Sequence, residues 1–273
     1  MKHRIGTVFH ESFSLSRPAL SAILRIAVES RKEVGFETIR EETHLGNNYV
    51  KAMPRYAVGA GLLENKTYRL TPLGHYVYDN DPGLSHPSTQ WLMHYHLSAP
   101  LGPGAVFWHY LVSCHLRPGA RLYPTSLRQD VRAFVREAEG KELADRSVRT
   151  LITVFTGTYV KTDGLGQLGI LQEQGNEFVV QEPNSPSAGV IGYALAHYWE
   201  QTWPGLGQVN LNDLYEPGGF ASLLLLNAFT LGSRLRELQS KRFLELHQIA
   251  PPHQLVRLWN SPVDFLPLLY EGG

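Results

Sequence analysis

Apolar positions in the first eighty residues recur at helical spacing and are separated by turn signals. After a helix start at Ser16, one buried helical face is marked at i, i+3, i+4 and i+7 by Leu20, Ile23, Leu24 and Ala27. The pattern predicts a short second helix over 36–43, a third over 48–60, and two short strands around a polar tip at 64–66. This order is typical of a winged helix-turn-helix unit, in which the third helix can enter the major groove. We therefore predict such a domain over residues 1–80.

The remaining chain shows the same order again, less clearly. Residues 81–124 are rich in proline, glycine and aromatic residues and predict a helical connector. Residues 125–183 predict a second winged-helix-like unit, with two helices and a hairpin turning at Gly175-Asn176. Residues 184–273 predict a helical C-terminal region, in which a helix over 210–227 and a hairpin around Pro251-Pro252 suggest a third unit. The expected fold class is mainly α with short β-hairpins, an α+β protein of tandem winged-helix units joined by the connector.

Composition and charge narrow the class of protein. A hydrophobic fraction of 43% is enough for a sizeable core, and no apolar run is long enough to cross a bilayer. The single cysteine, Cys114, forms no internal disulfide, so we expect a cytoplasmic protein without membrane contact. The net charge is zero, but residues 1–150 carry 19 Lys and Arg against 14 Asp and Glu, a balance of +5. That asymmetry points weakly to an anionic partner on the N-terminal side, and an unevenly charged solvated surface is the alternative.

The first candidate DNA-reading surface lies on the third predicted helix. Asn48, Lys51 and Arg55 are spaced at i, i+3 and i+7 and so share one helical face, with Asn47 beside them. Asparagine can pair with adenine and arginine with guanine, whereas lysine neutralises phosphate. We predict that these four residues enter the groove of duplex DNA.

The predicted hairpin would add contacts to the DNA backbone through Lys66 and Arg69. Pro54 opposes part of this prediction, because a proline in mid-helix removes a backbone donor and is expected to kink or break the helix. A solvated polar face that contacts protein remains the alternative for the whole surface.

A second candidate surface is a row of arginines at four-residue spacing. Arg128, Arg132 and Arg136 form the row, and Arg146 and Arg149 on the next predicted helix continue it. Such a row can follow a phosphate backbone. It can equally be neutralised by nearby carboxylates, at Asp130, Glu137, Glu139 and Glu142. A C-terminal cluster, Arg234, Arg236, Lys241 and Arg242, carries the same ambiguity.

The residues that could support catalysis do not form a recognisable set. His94 and His96 would point to different faces of a helix, and no carboxylate or thiol has metal-ligand spacing to them. Cys114 and His115 are adjacent in a predicted helix and so cannot face each other. Residues 164–169 match the glycine spacing of a dinucleotide motif, but outside the strand–turn–helix context that the motif needs. We therefore expect no metal, no cofactor and no enzymatic activity.

Several motifs together resemble a family of uncharacterised bacterial proteins of similar length. The segments that carry the resemblance are Phe9-His10-Glu11-Ser12-Phe13, Gly46-Asn47-Asn48-Tyr49-Val50-Lys51-Ala52-Met53, Ala60-Gly61-Leu62-Leu63, Leu70-Thr71-Pro72-Leu73-Gly74 and Trp91-Leu92-Met93-His94-Tyr95-His96-Leu97. They cover roughly the first 110 residues. This sequence departs from the family at Pro54, where other members usually carry a helix-compatible residue.

The family that these motifs resemble is carried in bacterial DNA-phosphorothioation and anti-phage defence islands. Its neighbours there are a phosphoadenosine-phosphosulfate-reductase-like protein and a cysteine desulfurase. The resemblance implies a DNA-binding accessory protein that positions these modification enzymes on duplex DNA. A transcriptional regulator of the island and a non-enzymatic protein-interaction scaffold are the alternatives that the sequence leaves open.

Overall fold

The described residues of the computed structural model are 6–7, 9–30, 34–43 and 45–271, and they form two compact units, within 1–184 and within 185–273. Throughout this part of the chain helices predominate, and the strands form two three-stranded antiparallel sheets. The predicted mainly α class with short β-hairpins is therefore confirmed. The finer division at residues 80, 124 and 183 stays a prediction.

The N-terminal unit, residues 1–184, is built mostly from helices. Its helices are α1 (Arg17–Glu29), α2 (Phe36–Thr43), α3 (Asn47–Gly59), α4 (Pro72–Asn80), α5 (Pro87–Ser98), α6 (Val106–His115), α7 (Pro124–Glu139) and α8 (Asp145–Val160). Its strands, β1 (Arg121–Leu122), β2 (Leu171–Gln174) and β3 (Glu177–Val180), form one sheet in the order β1-β3-β2. The hairpin β2–β3 turns at Gly175-Asn176, as the sequence predicts.

The two strands predicted around residues 64–66 are reduced to one antiparallel bridge between Leu63 and Leu70. The physical reason is the tightness of the turn. Lys66 and Tyr68 adopt left-handed backbone angles, with φ of 75° and 50°, so the chain reverses before a longer ladder can form. The prediction of a hairpin-like reversal holds, and the prediction of two strands is wrong.

The core of the N-terminal unit explains why these helices form. Leu20, Ile23 and Leu24 of α1 are fully buried, as their spacing predicts. An aromatic cluster lies deeper, where the Tyr159 hydroxyl is 2.9 Å from Trp108 Nε1 and 2.8 Å from His94 Nδ1. His94 is therefore a hydrogen-bonded core histidine.

Arg17 ties the start of α1 to two loops. It is only 7% exposed, and its guanidinium donates to the carbonyl oxygens of Gly164 at 2.7 Å, Leu84 at 2.9 Å and Thr162 at 2.5 Å. The glycine-rich segment at 164–169 thus anchors a helix through the Gly164 carbonyl and contains a 3₁₀ turn at Gly166–Leu168. It has no strand–turn–helix context, because the chain enters it from α8.

The C-terminal unit, residues 185–273, packs helices against a second sheet. Its elements are α9 (Ala188–Thr202), β4 (Gln208–Asn210), α10 (Phe220–Leu223), α11 (Ala228–Ser240), β5 (Leu244–His247) and β6 (Gln254–Arg257), with the sheet ordered β4-β6-β5. The predicted hairpin around Pro251-Pro252 is confirmed as β5–β6. The predicted helix over 210–227 is wrong, since Pro217-Gly218-Gly219 separates a 3₁₀ segment, Leu211–Tyr215, from the short α10.

Candidate nucleic-acid interface

The start of α3 presents the polar residues that the sequence predicts on one face. The helix begins at Asn47, with Gly46 in an extended conformation as its N-cap. Asn47, Asn48 and Lys51 are exposed, whereas Val50 is buried. The first turn and a half of α3 therefore offers two amides and one ammonium group to solvent.

A groove of about 850 Å³ lies beside these amides. Asn47 and Asn48 line it together with apolar side chains that include Phe13, Ala19 and Tyr49. A ligand that hydrogen-bonds the two amides would therefore also contact apolar surface.

Arg55 lies one turn further along α3 and is held in an ion pair. Its Nη1 is 2.8 Å from Glu11 Oε1, and both side chains are partly exposed. Glu11 compensates the charge of Arg55, so the predicted contact of Arg55 with a base stays a prediction. α3 itself continues through the buried Pro54 to Gly59 without a break, contrary to one of the two outcomes expected for this proline.

The segment after α3 carries Lys66 and Arg69 on an exposed turn. Both side chains are exposed, and the turn is closed by the Glu64 N–H, which donates to the Arg69 carbonyl at 2.8 Å. Within the described residues neither cation has a carboxylate partner, so both remain available to an anionic ligand.

The arginine row on α7 and α8 is largely neutralised. Asp145 accepts from Arg132 at 2.6 Å and from Arg149 at 3.0 Å. Desolvation is the largest single influence and would raise the pKa of Asp145, but the hydrogen bonds and charges of Arg149 and Arg132 together outweigh it and hold the pKa below its usual value. In the part of the chain that the structure describes, Arg128 and Arg146 have no such partner.

The carboxylates that neutralise these surfaces are mostly different from those considered from sequence. Of the predicted set, Glu142 pairs with Arg136 at 2.5 Å, whereas Asp145 was not among the candidates. Glu11 was also missed as the partner of Arg55, because 44 residues separate the two in sequence. In the C-terminal cluster, Arg234 and Lys241 pair with nearby glutamates.

Among the described residues, no group of three or more His, Cys, Asp or Glu side chains could hold a metal ion. Cys114 is exposed. None of the described helices is both long and apolar enough to cross a membrane.

Comparison with known proteins relates the chain to a family and to a solved fold. Two solved structures, "Magnesium ion-bound SspB crystal structure" and "SspB crystal structure", each superpose with a TM-score of 0.76 at 20% identity, covering 96% of this chain and 86% of the other. At that identity the likeness shows a shared fold. A search of curated proteins found no match. The match to the family described as "Protein of unknown function (DUF4007)" spans residues 9–262, and the chain belongs to that family.

Proposed function

We propose that the protein is a DNA-binding accessory factor of a bacterial DNA-phosphorothioation or anti-phage defence system. It positions modification enzymes on duplex DNA in the cytoplasm, with the phosphosulfate-reductase-like protein and the cysteine desulfurase as partners. The observation that carries the proposal is the exposed start of α3, where Asn47, Asn48 and Lys51 stand beside an apolar groove. Amides beside a cation form a combination that reads bases and neutralises phosphate.

The order of elements supports a winged-helix arrangement for this surface. α1, α2 and α3 are followed by the bridged turn at 63–70 and then by α4. In such an arrangement α3 lies in the major groove, and Lys66 and Arg69 contact the DNA backbone. We propose that α7, α8 and the hairpin β2–β3 form a second unit of this kind, through which Arg128 and Arg146 extend the contact.

The proposed role is non-enzymatic. It is supported by the lack, among the described residues, of any group of three or more His, Cys, Asp or Glu side chains that could hold a metal ion. One of the solved structures of similar fold is magnesium ion-bound, so the role is tested in the presence of that ion. Supercoiled plasmid incubated with the full chain and Mg²⁺ stays supercoiled if the role is non-enzymatic, and conversion to nicked circles would overturn it.

A protein-interaction scaffold is the second candidate function, and the ion pairs favour it. Glu11 compensates Arg55, and Asp145 compensates both Arg132 and Arg149, which lowers the positive potential of both surfaces. The zero net charge agrees with this candidate. A pull-down of the partner proteins in the absence of DNA would support it.

The test of DNA binding is fluorescence anisotropy with one labelled duplex, in ordinary and phosphorothioated forms. Lys51→Glu places a carboxylate at the start of α3 and is expected to weaken binding about tenfold or more, equally on all sequences. Arg25→Glu is the matched control, because Arg25 is an exposed cation on α1 outside both surfaces. It should change affinity little.

The outcomes separate the candidates. Binding of one promoter sequence alone, lost in Asn48→Ala, would identify a regulator, whereas binding of both duplexes without sequence preference supports the accessory role. Preference for the phosphorothioated duplex would make the protein a reader of the modification. Equal weakening by Lys51→Glu and Arg25→Glu, or no binding at low salt, would contradict the α3 surface.

A further inference from the structure

The loop before α1 is held in a conformation that few residues adopt freely. Glu11 and Ser12 both have left-handed backbone angles, with φ of 44° and 75°, although neither is glycine. The loop is fixed by the Phe13 N–H, which donates to the His10 carbonyl at 2.8 Å, and by the ion pair of Glu11 with Arg55 on α3. Backbone strain of this kind persists only where surrounding contacts impose it.

His10 lies at the centre of this loop, and its hydrogen bonds fix its tautomer. The side chain is 4% exposed, and its Nδ1 accepts from the Ser12 N–H at 3.0 Å. Because Nδ1 acts as an acceptor, the neutral ring carries its hydrogen on Nε2. Burial lowers the pKa of His10 to about 4, outweighing the opposite effect of Glu11, so the ring is neutral at pH 7.

The Nε2–H of His10 has no hydrogen-bond partner among the described residues. A buried donor without a partner is costly, and such a group in a native protein calls for a water, an ion or a ligand. His10 also lines a cavity of about 270 Å³. The His10 ring thus forms part of the cavity wall, with Nε2 itself covered by protein atoms, so a ligand in the cavity reaches Nε2–H only when the ring turns toward it.

The walls of this cavity come from the loop and from the first turns of α8. The loop supplies Thr7, Glu11 and Ser12 besides His10, and α8 supplies Arg146, Ser147 and Thr150. The N-terminus of a 16-residue helix favours negative charge, because its first N–H groups and its dipole point outward. A volume of about 270 Å³ suits a small ion or one group of a larger ligand.

The charges around the cavity also favour an anion. Two carboxylates lie nearby, and both are compensated: Glu11 pairs with Arg55, and Asp145 pairs with Arg132 and Arg149. Arg146 is exposed and forms no ion pair within the described part of the chain. One uncompensated cation therefore borders the cavity together with hydroxyl and imidazole donors.

We propose that this cavity binds a tetrahedral oxyanion, the phosphate group, through His10 Nε2–H, the Arg146 guanidinium and the hydroxyls of Ser12 and Ser147. If the phosphate belongs to DNA, the site deepens the proposed function and rests on it in part. Inorganic phosphate tests it independently, because its binding requires only the cavity. The absence of phosphate binding would thus overturn the site and leave the α3 surface to its own test.

The experiment is a titration of the full, histidine-labelled chain with inorganic phosphate, followed by proton–nitrogen NMR correlation of the histidine rings. Ionic strength is kept constant with chloride. The Nε2–H tautomer of His10 should be present before titration, and its ring signals should shift saturably as phosphate is added. An Nδ1–H tautomer, or no saturable shift at high millimolar phosphate, would overturn the proposal.

Three variants assign the donors. Arg146→Gln should weaken phosphate binding about tenfold or more, because it removes a charged donor. Arg128→Gln is the matched control, because it also removes an arginine that has no ion pair within the described residues, and Arg128 does not line the cavity. His10→Asn keeps an acceptor for the Ser12 N–H, removes Nε2–H and should weaken binding several-fold. If His10→Asn does not fold, the two arginine variants decide, and equal weakening by both would reduce the site to general charge attraction and refute it.

Competition then separates the sources of phosphate. Short duplexes with and without a 5′-phosphate are added to the phosphate-bound protein. Stronger competition by the phosphorylated duplex identifies a terminal monoester as the ligand, and equal competition identifies the phosphodiester backbone. If neither duplex competes, the cavity serves the free anion, and the link to DNA is refuted while the oxyanion site stands.

Discussion

Burial keeps the His10 side chain neutral, and the stability of the folded chain therefore depends on pH. Folding lowers the pKa of His10 to about 4, whereas an unfolded histidine titrates near 6.5. Between these values the unfolded chain binds the proton and the folded chain does not. Stability contributed by neutral His10 is therefore fully present above pH 6.5 and is lost as pH falls toward 4.

We expect protonation of His10 in the unfolded chain to lower the free energy of unfolding by about 2 kcal/mol as the pH falls from 7 to 5. Urea denaturation of the wild type and of His10→Asn at pH 7, 6 and 5 measures the difference. His197, whose pKa burial also lowers to about 4, contributes equally in both proteins and cancels. Parallel pH profiles for the two proteins would show that His10 takes up its proton as readily in the folded as in the unfolded state.

Among the elements, α4 is positioned by a close approach that only glycine permits. Thr71 caps the helix by accepting from the Gly74 N–H at 2.9 Å, and its hydroxyl donates to the Gly61 carbonyl at 2.6 Å. A Cβ at Gly74 would overlap the backbone carbonyl oxygen of Leu62. The start of α4 is thereby packed directly against the turn that follows α3.

Gly74→Ala should therefore destabilise the N-terminal unit by about 3 kcal/mol, because the overlapping atom belongs to the backbone and cannot rotate away. The better helix propensity of alanine, about 1 kcal/mol, offsets only part of this. Gly83→Ala is the control, since the nearest atom to a Cβ there lies 4.0 Å away. Thermal unfolding followed by circular dichroism measures both, and similar melting temperatures for the two variants would contradict the packing argument.

How far the sequence predicts the elements depends on the pattern that each one leaves. The amphipathic helices and the hairpin at Gly175-Asn176 follow from periodicity and turn chemistry. α9 escapes prediction because it is apolar nearly all round and contains Gly189 and Gly192, residues that ordinarily weaken a helix. Both glycines pack closely against the 3₁₀ segment Pro262–Leu268, a contact visible only in three dimensions.

In the candidate site too, some features follow from helical spacing, whereas others arise from contacts between segments that are distant in sequence. The exposure of Asn47, Asn48 and Lys51 follows from helical spacing alone. The pairing of Arg55 with Glu11 does not, because ion pairs between distant segments leave no periodic signal. The segment at 9–13 carries one of the motifs of the family resemblance, but the unpartnered buried nitrogen of His10 is apparent only from the packing around it.

At the scale of the whole molecule, zero net charge makes the local availability of cations decisive for DNA binding. Ion pairs withdraw Arg55, Arg132 and Arg149 from the predicted surfaces. Among the described residues of the α3 surface and its turn, Lys51, Lys66 and Arg69 remain without carboxylate partners. Arg128 on α7 and Arg146 on α8 also lack carboxylate partners within the described residues.

These cations predict how steeply affinity for duplex DNA falls with salt. Contact through the α3 surface alone neutralises about three phosphates and gives a slope of about −2.7 in a plot of log affinity against log salt concentration. Engagement of Arg128 and Arg146 as well gives about −4.5. Anisotropy titrations between 50 and 200 mM salt, roughly the range over which such slopes are resolved, distinguish the two values.

The double variant Arg128→Gln, Arg146→Gln should restore the shallower slope only if both units bind, and Asp145→Asn should steepen the slope by releasing Arg132 and Arg149. A slope near zero in the wild type would mean that the exposed cations do not meet phosphates, and it would favour the protein-interaction scaffold.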